Sequence, residues 1–204
     1  MDDSAFTEES PLAPNSPYSA SKTSADLLCR AYFKTYGLPV TVTRCSNNFG
    51  PYQFPEKLIP LVITNAIEDK PIPVYGDGMN VRDWIHVLDH CRGLKLAIEK
   101  GVPGEIYNIG GGAQISNLIL VKKILEIVSK PETLITFVKD RPGHDMRYAI
   151  SPQKIQKNLG WELSFNFDEA LNDTVNWYKQ NKPWWDRVKS GQYQEYYQRW
   201  YSLS

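Results

Sequence analysis

Apolar residues along this chain follow two rhythms, helical spacing in some stretches and short β-branched runs in others, punctuated by Gly, Pro, Asn and Asp. Residues 1–15 carry neither rhythm and read as an acidic, proline-containing opening loop. At Ser16-Pro17 a capping residue precedes a proline suited to the first helical position, and good helix formers run on to Gly37. Leu27, Leu28, Ala31 and Tyr32 share one face of that helix and are expected to form its buried stripe. Pro39–Cys45 predicts a strand, and Lys57–Asp69 a second helix with Pro60 tolerated in its first turn. Ile72–Tyr75 is a short extended segment closed by Gly76-Asp77-Gly78, and Arg82–Val87 is a strand. Asp89 is expected to cap a helix over His90–Lys100, which Gly101–Gly104 breaks. Ile106–Ile109 predicts another strand before Gly110-Gly111-Gly112, and Asn117–Ser129 a helix with Leu118, Val121, Leu125 and Val128 on one face. Leu134–Val138 reads as a strand, followed by the charged loop Asp140–Arg147. Two further helices, over about Pro152–Leu159 and Phe167–Asn181, lead into an aromatic tail.

Strands alternating with helices predict an α/β fold with a mostly parallel sheet. The first 45 residues give loop, helix and strand, half of a βαβ unit without its first strand.

Composition narrows the function classes. The 204 residues carry 23 basic and 23 acidic side chains, a net charge of zero, which argues against nucleic acid as a partner because that binding draws on a cationic surplus. No apolar run is long enough to span a membrane, and the acidic start MDDSAFTEES lacks the order of a signal peptide. Three scattered cysteines, Cys29, Cys45 and Cys91, without C-x-x-C spacing fit a reducing cytoplasm and no metal site. His86 and His90 have zinc-like helical spacing, but a strand-to-helix boundary is expected between them, so no metal is assigned. The glycine triplet lacks the G-x-G-x-x-G order of a phosphate loop and reads as a tight turn. The tail aromatics, Trp177, Tyr178, Trp184, Trp185, Tyr193, Tyr196, Tyr197, Trp200 and Tyr201, read as packing rather than as a single-strand binding platform.

The first candidate for chemistry is Tyr18 with Lys22, one helical turn apart on one face. The Lys22 ammonium favours tyrosinate, which could take a proton from a sugar hydroxyl while hydride leaves the same carbon. The spacing alone does not decide the matter, because Tyr178 and Lys182 repeat it on what reads as a solvated helix face.

The surroundings of Tyr18 carry more. SPYSASK, VTVTRCSNNFGPYQFPEKLIP, YGDGMNVRDWIHV, GEIYNIGGG and DRPGHD follow in order. This string resembles the extended short-chain dehydrogenase/reductase superfamily and, within it, the nucleotide-sugar dehydratases of the dTDP-glucose 4,6-dehydratase type, from about Phe6 to Tyr201. The resemblance implies a lyase with NAD as cofactor and an incomplete Rossmann-type parallel sheet plus a smaller α/β substrate-binding domain. It divides the chain into a Rossmann remnant with the Tyr-Lys helix (1–55), a substrate-domain insertion (56–80), a return to the Rossmann sheet (81–115) and a C-terminal substrate-binding domain (116–204). It makes Tyr18 the base and Lys22 its partner, Lys22 also holding the nicotinamide ribose, and sets Asn48 near NAD. Asn47, Lys57, Leu58, Ile59, Pro60, Leu61, Val62, Pro73, Val74, Tyr75, Arg82, Asn117, Asp140, Arg141, Pro142, Gly143, His144 and Tyr201 would line the nucleotide-sugar pocket. Arg82 and Arg141 suit a diphosphate, which guanidinium binds bidentately, and Leu58, Ile59 and Pro60 beside Tyr75 suit a flat base.

Two family motifs are absent from this sequence: the glycine-rich turn that cradles the NAD pyrophosphate and the Thr-Asp-Glu segment that serves elimination. The expectation is therefore a fragment, or the product of a truncated gene, without turnover alone. It would bind a nucleotide sugar, form a homodimer or self-associate, and belong to cytoplasmic deoxysugar (rhamnose precursor) synthesis. A related UDP-sugar 4-epimerase or UDP-glucuronate decarboxylase is the enzymatic alternative, and a non-catalytic binding or dimerisation module the other.

Overall fold

The computed structural model describes residues 5–140, 143 and 145–190. Its elements run α1 (Pro17–Tyr36), β1 (Val42–Cys45), β2 (Asn47–Phe49), α2 (Leu58–Ile67), β3 (Ile72–Tyr75), β4 (Val81–His86), α3 (Val87–Lys100), β5 (Ile106–Ile109), β6 (Ala113–Ser116), α4 (Asn117–Ile127), a 3-10 turn (Glu132–Leu134), β7 (Ile135–Val138), β8 (Arg147–Tyr148), α5 (Gln153–Leu159), α6 (Phe167–Gln180) and α7 (Lys182–Lys189). The expected α/β alternation with parallel pairing is present. Strands β2, β6 and β8 and helix α7 were not foreseen from the sequence. The described residues fall into two compact units, one drawn from Met1–Asn48, Asp83–Gln114 and Tyr148–Ser164, the other from Phe49–Arg82, Ile115–Arg147 and Phe165–Ser204.

In the first unit β1 and β5 pair in parallel, Val42 opposite Ile106 and Cys45 opposite Ile109. Helices α3 and α5 pack on β5 around Ile85, Ala97, Tyr107, Ile109, Ile155, Leu159 and Trp161. Gly93 permits this approach, since a Cβ there would lie 2.9 Å from the Ile109 side chain. The opening loop is tied down: Phe6 exchanges backbone bonds with Ala149 and Ser151, and Glu8 accepts the Asn108 N–H at 2.8 Å.

Helix α1 begins and ends as its sequence predicts. Ser16 accepts the Ser19 N–H, Pro17 occupies the first turn, and Gly37 closes the helix in the left-handed region at φ 68°. The expected buried stripe is wrong, however. Leu27, Leu28 and Tyr32 are each more than half exposed, Ala31 is exposed too, and no residue of α1 is buried. The half-buried face is Ser19, Thr23, Asp26, Cys29 and Phe33 instead. It is held by the Arg44–Asp26 ion pair at 2.7 Å and by Phe33 against Gly104, not by a greasy seam. A second expectation also fails. Helix α3 starts at Val87, straight after the strand, so Asp89 lies inside its first turn and does not cap it. Asp89 is fully buried, takes the Arg92 guanidinium at 2.7 Å and accepts the Ser164 N–H at 3.0 Å.

The second unit is organised by α2, which buries eight of its ten residues. It packs against β3, α4 and α6, while β3 pairs in parallel with β7 and α7 returns onto α6. Tyr178 and Trp185 are fully buried here and serve packing, while Trp177 and Trp184 are half-buried; the solvated face expected for Tyr178 and Lys182 is wrong, since Tyr178 is buried and Lys182 belongs to α7. A further sheet runs β2-β4-β6, with β8 also paired to β4. Among the described residues no helix is long and apolar enough to cross a membrane.

Trp161 is 1% exposed, and its indole N–H donates to the Asp89 carbonyl at 3.0 Å. Trp161→Ala should cost about 3–5 kcal/mol in chemical denaturation. Trp161→Phe should cost clearly less, because it loses the hydrogen bond but keeps most of the volume.

Candidate functional site

The capped first turn of α1 fixes where Tyr18 stands. Tyr18 is 73% exposed, Lys22 is exposed one turn on, and among the described residues neither the hydroxyl nor the ammonium makes a hydrogen bond or ion pair. Both polar groups thus face outward, uncommitted, on one helix face. Lys22 also stands near enough to Cys45 to favour its thiolate, although burial dominates and pushes the Cys45 thiol up. Asn48, on β2 directly after β1, turns its amide back to donate to Ser46 O at 3.1 Å and towards Cys45 Sγ at 3.4 Å. Asn47 is its half-buried neighbour. The exposed hydroxyl and ammonium on one helix face are of the chemical kind that can meet the ribose hydroxyls of a nicotinamide nucleotide, whereas the Asn48 amide is held by Ser46 O and Cys45 Sγ. For the pyrophosphate end the sequence holds no glycine-rich cradle.

Sequence reasoning missed the group on which this corner rests. Asp83, in β4, is 1% exposed, and neither carboxylate oxygen makes a well-formed hydrogen bond among the described residues. Burial raises its pKa to about 6, while the Ser46 hydroxyl and the amides of Gly111, Gly112 and Ala113 act the other way. Ser46 in turn accepts the Gly111 N–H at 3.1 Å. The glycine triplet was expected to be a tight turn; it is instead a short irregular link between β5 and β6, in which Gly112 takes φ 72° and Gly110 and Gly111 are required by crowding. A Cβ at Gly111 would lie 1.8 Å from the Trp84 carbonyl, and one at Gly110 2.5 Å from the Ile150 carbonyl. The signal that could have found Asp83 was a carboxylate inside the apolar run of β4.

In the second unit the pocket candidates gather around the turn after β3. Arg82 donates to Val81 O at 2.7 Å and to Asp145 O at 2.8 Å, and Asn80 donates to the same Asp145 carbonyl at 3.2 Å. Asp140 lies against Gly76, where a Cβ would come within 3.2 Å of its carboxylate. Asn117 opens α4 and donates its N–H to Asn80 O at 3.1 Å, while its side-chain Oδ1 accepts no hydrogen bond among the described residues. Tyr75, Arg82, Asn117 and Asp140 are therefore drawn to one end of β3, with Gly143 exposed in the following loop. The Lys57–Val62 stretch is divided. Lys57 is exposed and Leu58 partly so, whereas Ile59, Pro60, Leu61 and Val62 are buried in the core, as are Pro73 and Val74. Arg141, Pro142, His144 and Tyr201 lie outside the described residues. The boundary between His86 and His90 falls where expected, and among the described residues no three His, Cys, Asp or Glu side chains gather as a metal site requires.

Residues 1–174 match the family model described as GDP-mannose 4,6 dehydratase. The chain is 54% identical over 202 residues to a dTDP-glucose 4,6-dehydratase of Neisseria meningitidis serogroup B, covering 94% of this chain and 57% of that protein. It is 53% identical over 199 residues to the Escherichia coli dTDP-glucose 4,6-dehydratase, with 92% and 55% covered. It thus spans little more than half the length of these curated relatives. Among solved structures, a Streptomyces venezuelae dTDP-glucose 4,6-dehydratase with NAD bound superposes with a TM-score of 0.91 at 49% identity, covering 93% of this chain and 59% of that one. A UDP-glucuronic acid 4-epimerase from Bacillus cereus, in complex with UDP-glucuronic acid and NAD, gives 0.82 at 31% identity, with 87% and 57% covered.

Asp83 also makes a stability prediction. Its pKa is about 6 in the fold against an ordinary 3.8, so the native state binds the proton more tightly than the unfolded chain does. The stability gained from that proton is complete below about 3.8 and is lost as pH rises through 6. Between pH 7 and pH 5 the unmodified chain should gain about 1 kcal/mol relative to Asp83→Asn. Parallel denaturation curves of the two proteins at both pH values check this, and an unchanged difference refutes it.

Proposed function

Since the chain belongs to the nucleotide-sugar dehydratase family that the GDP-mannose 4,6 dehydratase model defines, we propose that it is part of an NAD-dependent dTDP-glucose 4,6-dehydratase, the part that supplies the tyrosine base and a nucleotide-sugar pocket. The observation that carries this reading is the uncommitted Tyr18 hydroxyl beside Lys22 on the exposed face of α1, in a chain about half identical to such enzymes over nearly its whole length.

Tyr18, Lys22 and Asn48 would hold the nicotinamide-ribose end of NAD, which when bound takes hydride from sugar C4 and returns it at C6. Tyr18 in its phenolate form removes the proton from the C4 hydroxyl as the hydride departs, and Lys22 stabilises that phenolate. Arg82 is already braced by the Val81 and Asp145 carbonyls and so meets a diphosphate without losing further side-chain freedom. Arg141 and His144 would complete the anion contact. Asn117 offers its Oδ1, Asn47 its amide, and Lys57, Leu58 and Tyr75 border the base. Loss of water across C5–C6 of the 4-keto sugar would leave a C5–C6 double bond, and the returned hydride at C6 with a proton at C5 would complete dTDP-4-keto-6-deoxyglucose, a deoxysugar precursor of the rhamnose type.

The acid for that elimination and the pyrophosphate cradle are not among the residues of this sequence. The isolated chain should therefore bind nucleotide without turnover. Its working form is a cytoplasmic homodimer joined through the apolar face of α1, where Leu27, Leu28 and Tyr32 stand exposed. Neither nucleic acid nor a membrane is a partner.

Thermal unfolding with nucleotides tests the pocket. A hundredfold excess of dTDP over its dissociation constant should add about 2.7 kcal/mol to stability. NAD alone should add far less, and Arg82→Ala should reduce the dTDP effect strongly. If no nucleotide shifts the midpoint, the pocket assignment is wrong, and formation of a 4-keto-6-deoxy sugar by the pure chain would contradict the predicted lack of turnover. Sedimentation tests the dimer: Leu28→Glu should convert it to monomer, and an unchanged mass would remove α1 as the contact.

A further inference from the structure

Three aromatic rings meet at the surface of the second unit. The Tyr52 ring lies with its centroid 4.5 Å from that of Trp177 and 5.4 Å from that of Trp184, and the two tryptophans are 5.3 Å apart. Trp177 and Trp184 are anchored from below, since they also meet the edge of the fully buried Tyr178. Tyr52 itself is 66% exposed, so burial alone does not hold it.

Its backbone explains why it needs holding. Tyr52 has φ 63°, the left-handed region that bulky non-glycine residues avoid and that persists only where the surroundings impose it. The next residue is fixed as well, because the Tyr178 hydroxyl donates to the Gln53 carbonyl at 2.6 Å. Burial holds the proton on that hydroxyl far above the usual tyrosine range, so the donor persists at every physiological pH. From Gln53 the chain is short and tightly turned: the Lys57 N–H donates to Phe54 O at 3.1 Å, and the Leu61 N–H donates to Lys57 O at 2.9 Å as α2 begins. Two clamps at residues 52 and 53 therefore set the direction in which Lys57 and Leu58, the accessible start of an otherwise buried helix, emerge.

We propose that Tyr52 is a positioning residue whose ring, gripped by Trp177 and Trp184, holds the 50–57 loop in the conformation that presents Lys57 and Leu58 to the bound nucleotide. Its link to the nucleotide rests on the pocket reading above, whereas the grip on the loop does not. A glycine at position 52 would relax the backbone but remove the ring, which separates local geometry from general stability.

The test uses the full chain with Tyr52→Phe, Tyr52→Gly and Tyr52→Ala. Hydrogen exchange at the Lys57 and Leu61 amides is measured without ligand, and dTDP binding by calorimetry. Tyr52→Phe keeps the ring and should match the parent in both measurements. Tyr52→Gly and Tyr52→Ala should exchange about tenfold faster at Lys57 and bind dTDP about tenfold more weakly, while the Tyr107 and Ile109 amides of the first unit stay unchanged. Unaltered exchange at Lys57 in Tyr52→Gly overturns the proposal. Faster exchange with undiminished dTDP affinity overturns its link to the nucleotide. If the parent chain fails to bind dTDP, the pocket reading falls and that link with it, and the Lys57 exchange alone decides the grip.

Discussion

A helix without a polar face has to be covered on every side, and α2 is such a helix. Its sequence, LIPLVITNAI, offers only Thr64 and Asn65 as polar side chains. Both are satisfied locally, Thr64 by donating to the Leu61 carbonyl and Asn65 by donating to Pro71 O. The demand for cover brings β3, α4 and α6 around it. Once those elements are in place, the end of β3, the start of α4 and the turn between β3 and β4 have little choice of position. Tyr75, Arg82 and Asn117 thus owe their convergence to an apolar helix most of whose residues never reach the surface. At α2's outer end Lys189 adds an ion pair to Glu68 at 2.7 Å, lying over the buried Trp185 ring.

The first unit is governed differently. Its helix α1 is attached by the Arg44–Asp26 ion pair and the Phe33 contact with Gly104, and the more hydrophobic of its faces is left outward. Asp83 lies under the glycine segment at a cost in desolvation that a neutral side chain would avoid. What it obtains is a fixed relation between Ser46, the glycine segment and the strand, beside the half-buried Asn47 and Asn48.

Much of this was legible in the residues. Ser16, Pro17 and Gly37 marked the limits of α1, and β-branched runs marked β1, β3, β4, β5 and β7, because those signals act on the backbone within a turn or two. The string around Tyr18 identified the family and the cofactor class. What could not be read was anything decided by partners distant in sequence. The hydrophobic stripe of α1 shows which face favours burial, not whether this chain supplies a cover for it. Asp89 looked like a cap because an acid preceded a helical run, but the strand fed directly into α3 and buried the acid against Ser164. Strands β2 and β8 are too short to show alternation, β6 (AQIS) has a single β-branched residue to mark it, and the left-handed Tyr52 gives no sign in a sequence whose usual left-handed residue is glycine.

The path of the chain through its two units has a consequence for how it is made. Each unit collects three separate stretches, so the chain passes between them after residues 48, 82, 114, 147 and 164. No single cut yields either unit intact. During synthesis the core around Trp161 has to wait for α5, and the Tyr178 layer of the other unit is later still. The first unit has all its stretches once residue 164 is made, while the second still lacks its last. Long-range closure of this kind slows folding and leaves half-built apolar surfaces exposed together, the condition under which a chain comes to depend on chaperones.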